Sequence, residues 1–336
     1  MPTSTPLSVS PSHIAVIGAG MAGLSCAQAL HSAGLHVSVF DKSRGVAGRM
    51  STRRAEGWQC DHGVPYFTAQ DPVFEAQVQR WVEAGVAAPW PLRMAVLDGA
   101  DQSPLPELQP YFVGTPRMTA PAAWLAQGLS VSLQTTVLPP ECSGSQWHLR
   151  SAEHGLLQGA FDAVVLAVPA PQAVPLLAPT APALADMAAS AQMQGCWALM
   201  LRFEAPVSFV FDGAFVRHSP LRWVARDSSK PGRGGTETWV LQATSAWSQT
   251  HMEDAPEEVA AALLAAFAAL GGPTPAAWTA HRWRYADAQP ALTQGCAWDS
   301  NLRLGLCGDW LHGGGVQGAW LSGQALARQL LPGFER

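Results

Sequence analysis

Short apolar runs and helically spaced apolar positions alternate along this chain and give it two textures. Ile14-Ala15-Val16-Ile17 is too short for a helix and β-branched enough for a buried strand. A glycine-rich turn follows, then helical spacing from Leu24 to Leu30 closed by Gly34, then a second strand over 36–40 that ends at Asp41. Residues 71–84 put Phe74, Val78, Trp81 and Val82 on one helical face, and a second helix is expected over 120–128. Strands are expected at 129–137 and 146–151. The clearest buried strand is 161–169, which ends in Pro-Ala-Pro, and 175–194 reads as one alanine-rich helix. From 195 to 247 the texture changes to strands in series at 196–203, 209–215, 221–226 and 236–243, with a polar turn at 227–235. A helix at 253–270 follows, the segment 281–286 brings the chain back, and a strand is expected at 302–309; a glycine triplet then leads into a last helix from Val316.

The opening segment has the order strand, glycine turn, helix, strand, acid that a dinucleotide-binding unit requires. Gly18 allows the sharp turn, Gly20 lets a pyrophosphate approach the backbone, and Gly23 lets helix and strand pack closely. Met21 and Ala22 open the helix, whose free N–H groups favour phosphate. Asp41 stands where a carboxylate accepts the hydroxyls of an adenosine ribose. The next residues, Lys42, Arg44, Gly48, Arg49 and Met50, form a basic glycine loop directly after that acid. A nicotinamide dehydrogenase has no use for such a loop; a flavoprotein that lays a whole FAD along the sheet does. At the other end, Gly308-Asp309 closes a strand, and Val316, Gln317, Gly318 and Ala319 start a helix with small residues. That helix start can face a flavin's C2 carbonyl and N1, where negative charge collects on reduction. Asp309 is a candidate acceptor for a ribityl or pyrophosphate-side hydroxyl, or else a helix cap. The expected class is α/β with α+β character: a discontinuous Rossmann-like FAD-binding domain (13–68, 115–170 and 287–336) and a substrate domain (69–114 and 171–286) on a mixed or antiparallel sheet with helices.

The chain has 336 residues, 48% hydrophobic and 13% charged, with a net charge of −5. That balance argues against a nucleic-acid partner, and no apolar stretch reaches the ~20 residues that span a bilayer. Residues 1–12 are rich in Ser, Pro and Thr, lack a charged start and an apolar core, and read as a disordered tail rather than a signal peptide. The six cysteines are scattered without CxxC spacing, and the histidines lack HxxxH or HExxH patterns. Reduced thiols, no metal and a cytoplasmic location are expected.

The loop after Asp41 resembles the second signature of the two-dinucleotide-binding-domain flavoproteins of the amine oxidase superfamily, with Asp41 for the usual Glu and Ala47 for the first of the paired glycines. Across 13–331 the chain resembles the bacterial renalase family. The segments that carry this are DKSRGVAGRMSTRR (41–54), DHGVPYFTA (61–69), WVARDSSKPGR (223–233), ETWVLQATSAWSQTH (237–251), HRWRYA (281–286) and GDWLHGGGVQGAWLSG (308–323). The resemblance implies non-covalent FAD and an oxidase that takes hydride from 2- or 6-dihydro isomers of NAD(P) and passes the electrons to O2, giving NAD(P)+ and peroxide. It places Asp61 and Gly63 beside the isoalloxazine, and the superfamily lysine near flavin N5 has no match here. Val137, at the end of a strand, is counted with the cofactor-binding residues. His62, Arg284, Tyr285, Trp310 and His312 are candidates at the reacting centre, the last two because they follow Asp309; core packing is the alternative for each Trp and a surface position for His62. Arg226 and Lys230 are candidates for substrate phosphates. A flavin amine oxidase or dehydrogenase, and a non-catalytic flavin-binding protein, remain open, as do a monomer and a homodimer.

Overall fold

The computed structural model describes residues 12–99, 101–106 and 109–334, so the tail expected at 1–12 lies almost wholly outside the described residues. Two sheets organise the chain. In the first, strands run in the order Ala297–Asp299, Leu304–Leu306, Ala163–Leu166, His13–Ile17, His36–Phe40, Ser130–Ser132. All pairings are parallel except that of Ala297–Asp299 with its neighbour. A central parallel strand is buried on both faces, which is why Ile14, Ala15, Val16 and Ile17 are uninterruptedly apolar. Ile14 and Val16 contribute to one core with the helices Met21–Ser32 and Gly315–Leu330, and Ala15 and Ile17 to a second core with Ala170–Leu177 and Pro182–Ser190.

The second sheet is ordered Ala277–Ala288, Met193–Phe203, Glu237–Ala243, Leu221–Arg226, Gly213–Arg217, Met94–Asp98, Asp101–Pro104. It is antiparallel except where Gly213–Arg217 pairs with Met94–Asp98. Side-chain alternation sends Leu199, Leu201 and Leu241 to a core with the helix Pro256–Ala269. Met200, Trp223 and Val240 point the other way and join the first half's core. This face, turned toward the FAD-type sheet, creates the interior in which a site can form.

Several elements differ from the sequence-based expectation, each for a local reason. The single helix expected at 175–194 is two, because Ala181 precedes Pro182 and is driven out of the helical region (φ −140°, ψ 65°). The strand expected at 209–215 begins at Gly213; Phe209 and Phe211 instead stack on each other, centroids 4.7 Å apart, against Trp239 and Phe267. The last strand stops at Leu306, since the Gly308 N–H turns to the Ser322 hydroxyl at 2.9 Å.

The two helices over the first sheet cross at Gly323, where a Cβ would lie 2.2 Å from the Ala22 carbonyl oxygen. Ser25 Oγ donates to the Trp320 carbonyl at 2.8 Å beside this crossing. Backbone cannot yield as a side chain tip can, so Gly323→Ala is expected to destabilise the protein by about 2–3 kcal/mol through overpacking. Chemical denaturation checks this; an unchanged midpoint would mean that the crossing relaxes freely.

Candidate active site

The glycine loop is held from below and open above. A Cβ on Gly18, whose φ is +111°, would stand 2.4 Å from the Ala167 carbonyl, and one on Gly23 would stand 2.0 Å from the Gly18 carbonyl. A Cβ on Gly20 would meet nothing within 4 Å. The loop therefore needs glycine at 18 and 23 for its own fold, whereas Gly20 leaves room for a guest at the helix N-terminus, the place a pyrophosphate takes. Asp41 accepts from Ala19 N at 2.7 Å and from Ser43 N at 2.7 Å, so part of its hydrogen-bonding capacity ties the acid to the glycine loop. Ala47 N donates to the Ala19 carbonyl at 2.9 Å with φ +101°, and Gly48 is close to Gly20. The basic glycine loop thus lies directly against the first one, as a cofactor that passes both requires.

Arg49 ties the loop to the rest. Its guanidinium makes a two-pronged ion pair with Asp309, one contact being 2.9 Å, and donates to the Ala286 carbonyl at 2.8 Å. Its carbonyl accepts from Val64 N at 2.9 Å, and a Cβ on Gly63 would lie 1.9 Å from that oxygen. Asp309 was expected to face a ribityl hydroxyl; both of its oxygens accept from Arg49. The triplet Gly313, Gly314, Gly315 has φ of 71°, 86° and 69° and leads into the last helix, with Gln317 Oε1 accepting from Gln70 N at 2.7 Å and Asp71 N at 3.0 Å.

A cavity of about 390 Å³ opens between this helix start, the 63–70 segment and the second sheet. The triplet, Val316 and Gln317 form one side; Tyr66, Arg222, Gln242 and Trp283 are on others, with Cys196 and Asp287. Arg222 pairs with Asp287 at 3.0 Å, and Gln242 donates to the Gly63 carbonyl at 2.6 Å. Burial, then Tyr111, pushes the Tyr66 phenol up to about 12, and burial pushes the Cys196 thiol to about 11. Trp283 Nε1 donates to the His62 carbonyl at 2.9 Å and its ring stacks on the His62 imidazole.

A fully buried ion cluster forms around Asp61, two residues before Gly63. Asp61 accepts from Lys230 Nζ at 3.0 Å, Arg233 Nη2 at 2.5 Å and Thr52 Oγ1 at 2.5 Å, and Lys230 Nζ is 2.6 Å from Asp227 Oδ1. Although burial opposes it, the two cations hold the Asp61 carboxyl well below the usual range; burial and the Asp61 charge push Asp227 up to about 6.

The structure gathers Gly18, Gly20, Gly23, Asp41, Gly48, Arg49, Gly63, Asp309 and Gly313–Gln317 around one path. Met21, Ala22, Met50, Gly318 and Ala319 are buried in support of it, and Lys42 and Arg44 stand exposed beside the loop. Other candidates fall elsewhere. Trp310 is 1% exposed, donates to the Val168 carbonyl and packs in the second core, so it is core rather than a reacting-centre residue. His312 contributes its backbone, which a Cβ on Gly318 would strike at 2.1 Å, and its side chain is not among the cavity walls. Arg284 pairs with Glu253 on the exposed side of its strand, opposite Trp283, and Tyr285 is not a wall residue. Val137 is buried beside Ser151 in the second core. His62 is buried, not a surface residue, and Lys230 serves Asp61 rather than a phosphate. Sequence reasoning missed Arg222, Gln242 and Cys196, which only strand pairing brings to the cavity; for Tyr66, also a wall residue, the period-two spacing from Val64 is the available signal.

A Rossmann-type sheet with two glycine loops, a C-terminal helix start and a covering second sheet defines an FAD-dependent oxidoreductase. Residues 16–81 match an NAD(P)-binding Rossmann-like domain and residues 112–331 match the flavin containing amine oxidoreductases; the chain belongs to this family, and its cofactor is FAD. It is 45% identical to the L-amino acid oxidase Cdc18 of Crotalus durissus cumanensis over 53 residues, 16% of this chain and 11% of that one. It is 32% identical over 213 residues to the tRNA 5-methylaminomethyl-2-thiouridine biosynthesis bifunctional protein MnmC of Magnetococcus marinus, 51% of this chain and 31% of that one. The matches thus span about a tenth to a third of these curated relatives. Putrescine oxidase bound to putrescine has the same fold (TM-score 0.76, 14% identity, 96% of this chain and 99% of that one). So does cyclohexylamine oxidase from Brevibacterium oxydans IH-35A (TM-score 0.75, 14% identity, 97% and 100%).

Two expectations follow. Gly20→Ala is expected to leave apoprotein stability within about 0.5 kcal/mol, because its Cβ enters open space, while reducing FAD retention at least tenfold; flavin released on gel filtration measures this. The second concerns acid. Burial, then His281 and Arg53, lowers the His62 pKa to about 3, and burial, then Arg53, lowers that of His281 to about 4. Below 6.5 the unfolded chain takes protons that the folded chain refuses, so stability is complete above 6.5 and falls as the pH drops toward 3–4. Asp227 acts oppositely between about 6 and 4. His62→Phe should therefore keep about 2 kcal/mol more of its neutral-pH stability at pH 5 than the wild type does, by urea unfolding at pH 7 and pH 5. Equal losses would show that His62 does not resist protonation.

Proposed function

We propose that this chain is an FAD-dependent oxidase of the renalase kind, which takes a hydride from 2- or 6-dihydro isomers of NAD(P) and delivers the electrons to O2. The observation that carries this is the absence of a free base among the described cavity walls. They include no lysine and no histidine, Tyr66 and Cys196 are held protonated at neutral pH, and the one carboxylate, Asp287, is paired with Arg222. A dihydropyridine needs no base, because its ring-nitrogen lone pair expels the hydride and leaves an aromatic pyridinium. Bound FAD supplies the two-electron acceptor.

The chain's own residues then bind and orient. Trp283 and Tyr66 offer aromatic walls for a nicotinamide, Gln242 and Arg222 offer donors for its carboxamide or phosphate, and the helix start at Val316–Gln317 favours negative charge gathering near it. An amine substrate is the second reading, supported by family membership and by the same aromatic walls. It requires an amine that arrives already deprotonated. The protein is proposed to hold FAD non-covalently and to need no metal.

Anaerobic stopped-flow mixing separates the readings. Flavin bleaching by a 2- or 6-dihydro isomer, with peroxide on admitting air, is the expected result; bleaching by an amine alone would overturn it. Arg222→Gln should raise KM for the dinucleotide about tenfold with kcat nearly unchanged, because the lost contact is equal in ground and transition states. A fall in kcat alone would place Arg222 at the reacting centre instead.

A further inference from the structure

A second concavity, of about 360 Å³, lies on the hairpin formed by Thr52–Ala55 and Trp58–Asp61, and it shares no wall residue with the flavin-side cavity. Three guanidinium groups border it: Arg54 and Arg117 from its walls and Arg233 from its floor. Arg233 is 4% exposed, and its Nε is a buried donor with no partner in the protein. Its other nitrogens are committed, to the Gly114 carbonyl at 2.6 Å, the Pro231 carbonyl at 3.0 Å and Asp61. Arg117 is steered by its Nε, which donates to Gln59 Oε1 at 2.8 Å and leaves the outer prongs of the fork free to turn toward a guest. Trp58 supplies a half-buried aromatic wall and Thr236 a hydroxyl.

Among the described residues no acid lines this cleft; Glu56, in the hairpin turn, stays outside it. The buried cluster underneath has two carboxylates, Asp61 and Asp227, against Lys230 and Arg233. Formally it is neutral, and Arg54 and Arg117 then add two uncompensated positive charges. A chain with a net charge of −5 that concentrates cations in a carboxylate-free concavity has a local reason to do so. An unpartnered buried N–H on a residue of the cleft wall leaves one donor of the Arg233 fork unused by the protein. Guanidinium forks match phosphate oxygens two at a time, and 360 Å³ is at the small end of ligand sites, enough for a nucleotide-sized molecule.

We propose that this cleft is a binding site for a small phosphate-bearing molecule, separate from the flavin site, with Arg54 and Arg117 as the clamp, Arg233 beneath it and Trp58 stacking on any ring the ligand carries. It is independent of the oxidised substrate.

The test is calorimetric titration of the FAD holoenzyme at low ionic strength with inorganic phosphate, pyrophosphate and AMP. Saturable binding without loss of flavin absorbance is expected, weakened at least tenfold in Arg54→Gln/Arg117→Gln. The charge-preserving Arg54→Lys/Arg117→Lys should weaken it by less, since the charge stays and the fork is lost; if the first variant fails to fold, this one carries the test. AMP should bind more tightly than phosphate, and Trp58→Leu should abolish that difference; AMP binding no more tightly would overturn the stacking role. No saturable binding of any probe, binding unaffected by either double substitution, or binding that releases FAD would overturn the site.

Discussion

The contact on which the rest depends is the Arg49–Asp309 ion pair. It joins residues 260 positions apart and closes the sheet's two glycine-rich ends on each other. The same arginine holds the Ala286 carbonyl on the edge strand of the second sheet, and its own carbonyl fixes Val64. Four segments thus meet at one residue: the basic glycine loop, the 61–67 stretch, the Ala277–Ala288 strand and the turn before the last helix. A guanidinium suits this because its planar fork serves a carboxylate with one edge and a carbonyl with another, which an ammonium cannot do with fixed geometry. With the carboxylate 6% exposed and the arginine side chain 26% exposed, the pair sits where desolvation is partial and the Coulombic gain survives.

The Asp61 cluster works at a second junction, between the hairpin of the first half and the 227–233 turn of the second. Its four charges are fully desolvated, so removing one partner strands another, a loss of about 3–5 kcal/mol. Such a cluster is weak evidence for net stability and better evidence for a fixed position. It anchors the strand that ends at Asp61, and two residues later Gly63 passes under the cavity with no Cβ to spare. The aspartate expected beside the flavin thus acts at a distance, by setting the path of the backbone that reaches it.

How much was legible follows from where each signal resides. The FAD-binding half was readable because its rules are local: Gly18 and Gly23 are needed for close backbone contacts, and Asp41 follows at fixed spacing. The helix at Pro72–Glu83 was readable because Asp71 caps it and its apolar face repeats. Most of the cavity was not readable. Arg222, Gln242 and Cys196 come from three strands whose neighbours are decided by sheet order, Cys196 pairing with Trp283 and Trp223 with Gln242. Trp310 misled because it follows Asp309 in sequence, yet the backbone turns at Gly308 and sends the indole under the sheet, where it reaches the Val168 carbonyl. Proximity to a motif predicts proximity to a ligand only while the chain stays extended.

The arginines and lysines show the same lesson in electrostatic form. Arg226 spends its charge on Glu237 and its flat face on Trp239; Lys230 is buried between two aspartates and over Trp90; Arg284 holds Glu253 outside. All three sit in segments that carry the family resemblance, and each is used to hold the protein together. Of the cations that border the two concavities, Arg222 lines one from near the start of a strand, and Arg54 and Arg117 stand over the other from a hairpin and a turn. A cation with a carboxylate within 3 Å has little field left for a ligand. Arg222 is so paired, through Asp287, and can bind a guest only by sharing, which suits a substrate that must leave. Among the described residues Arg54 and Arg117 form no ion pair, which leaves their field to whatever enters the cleft.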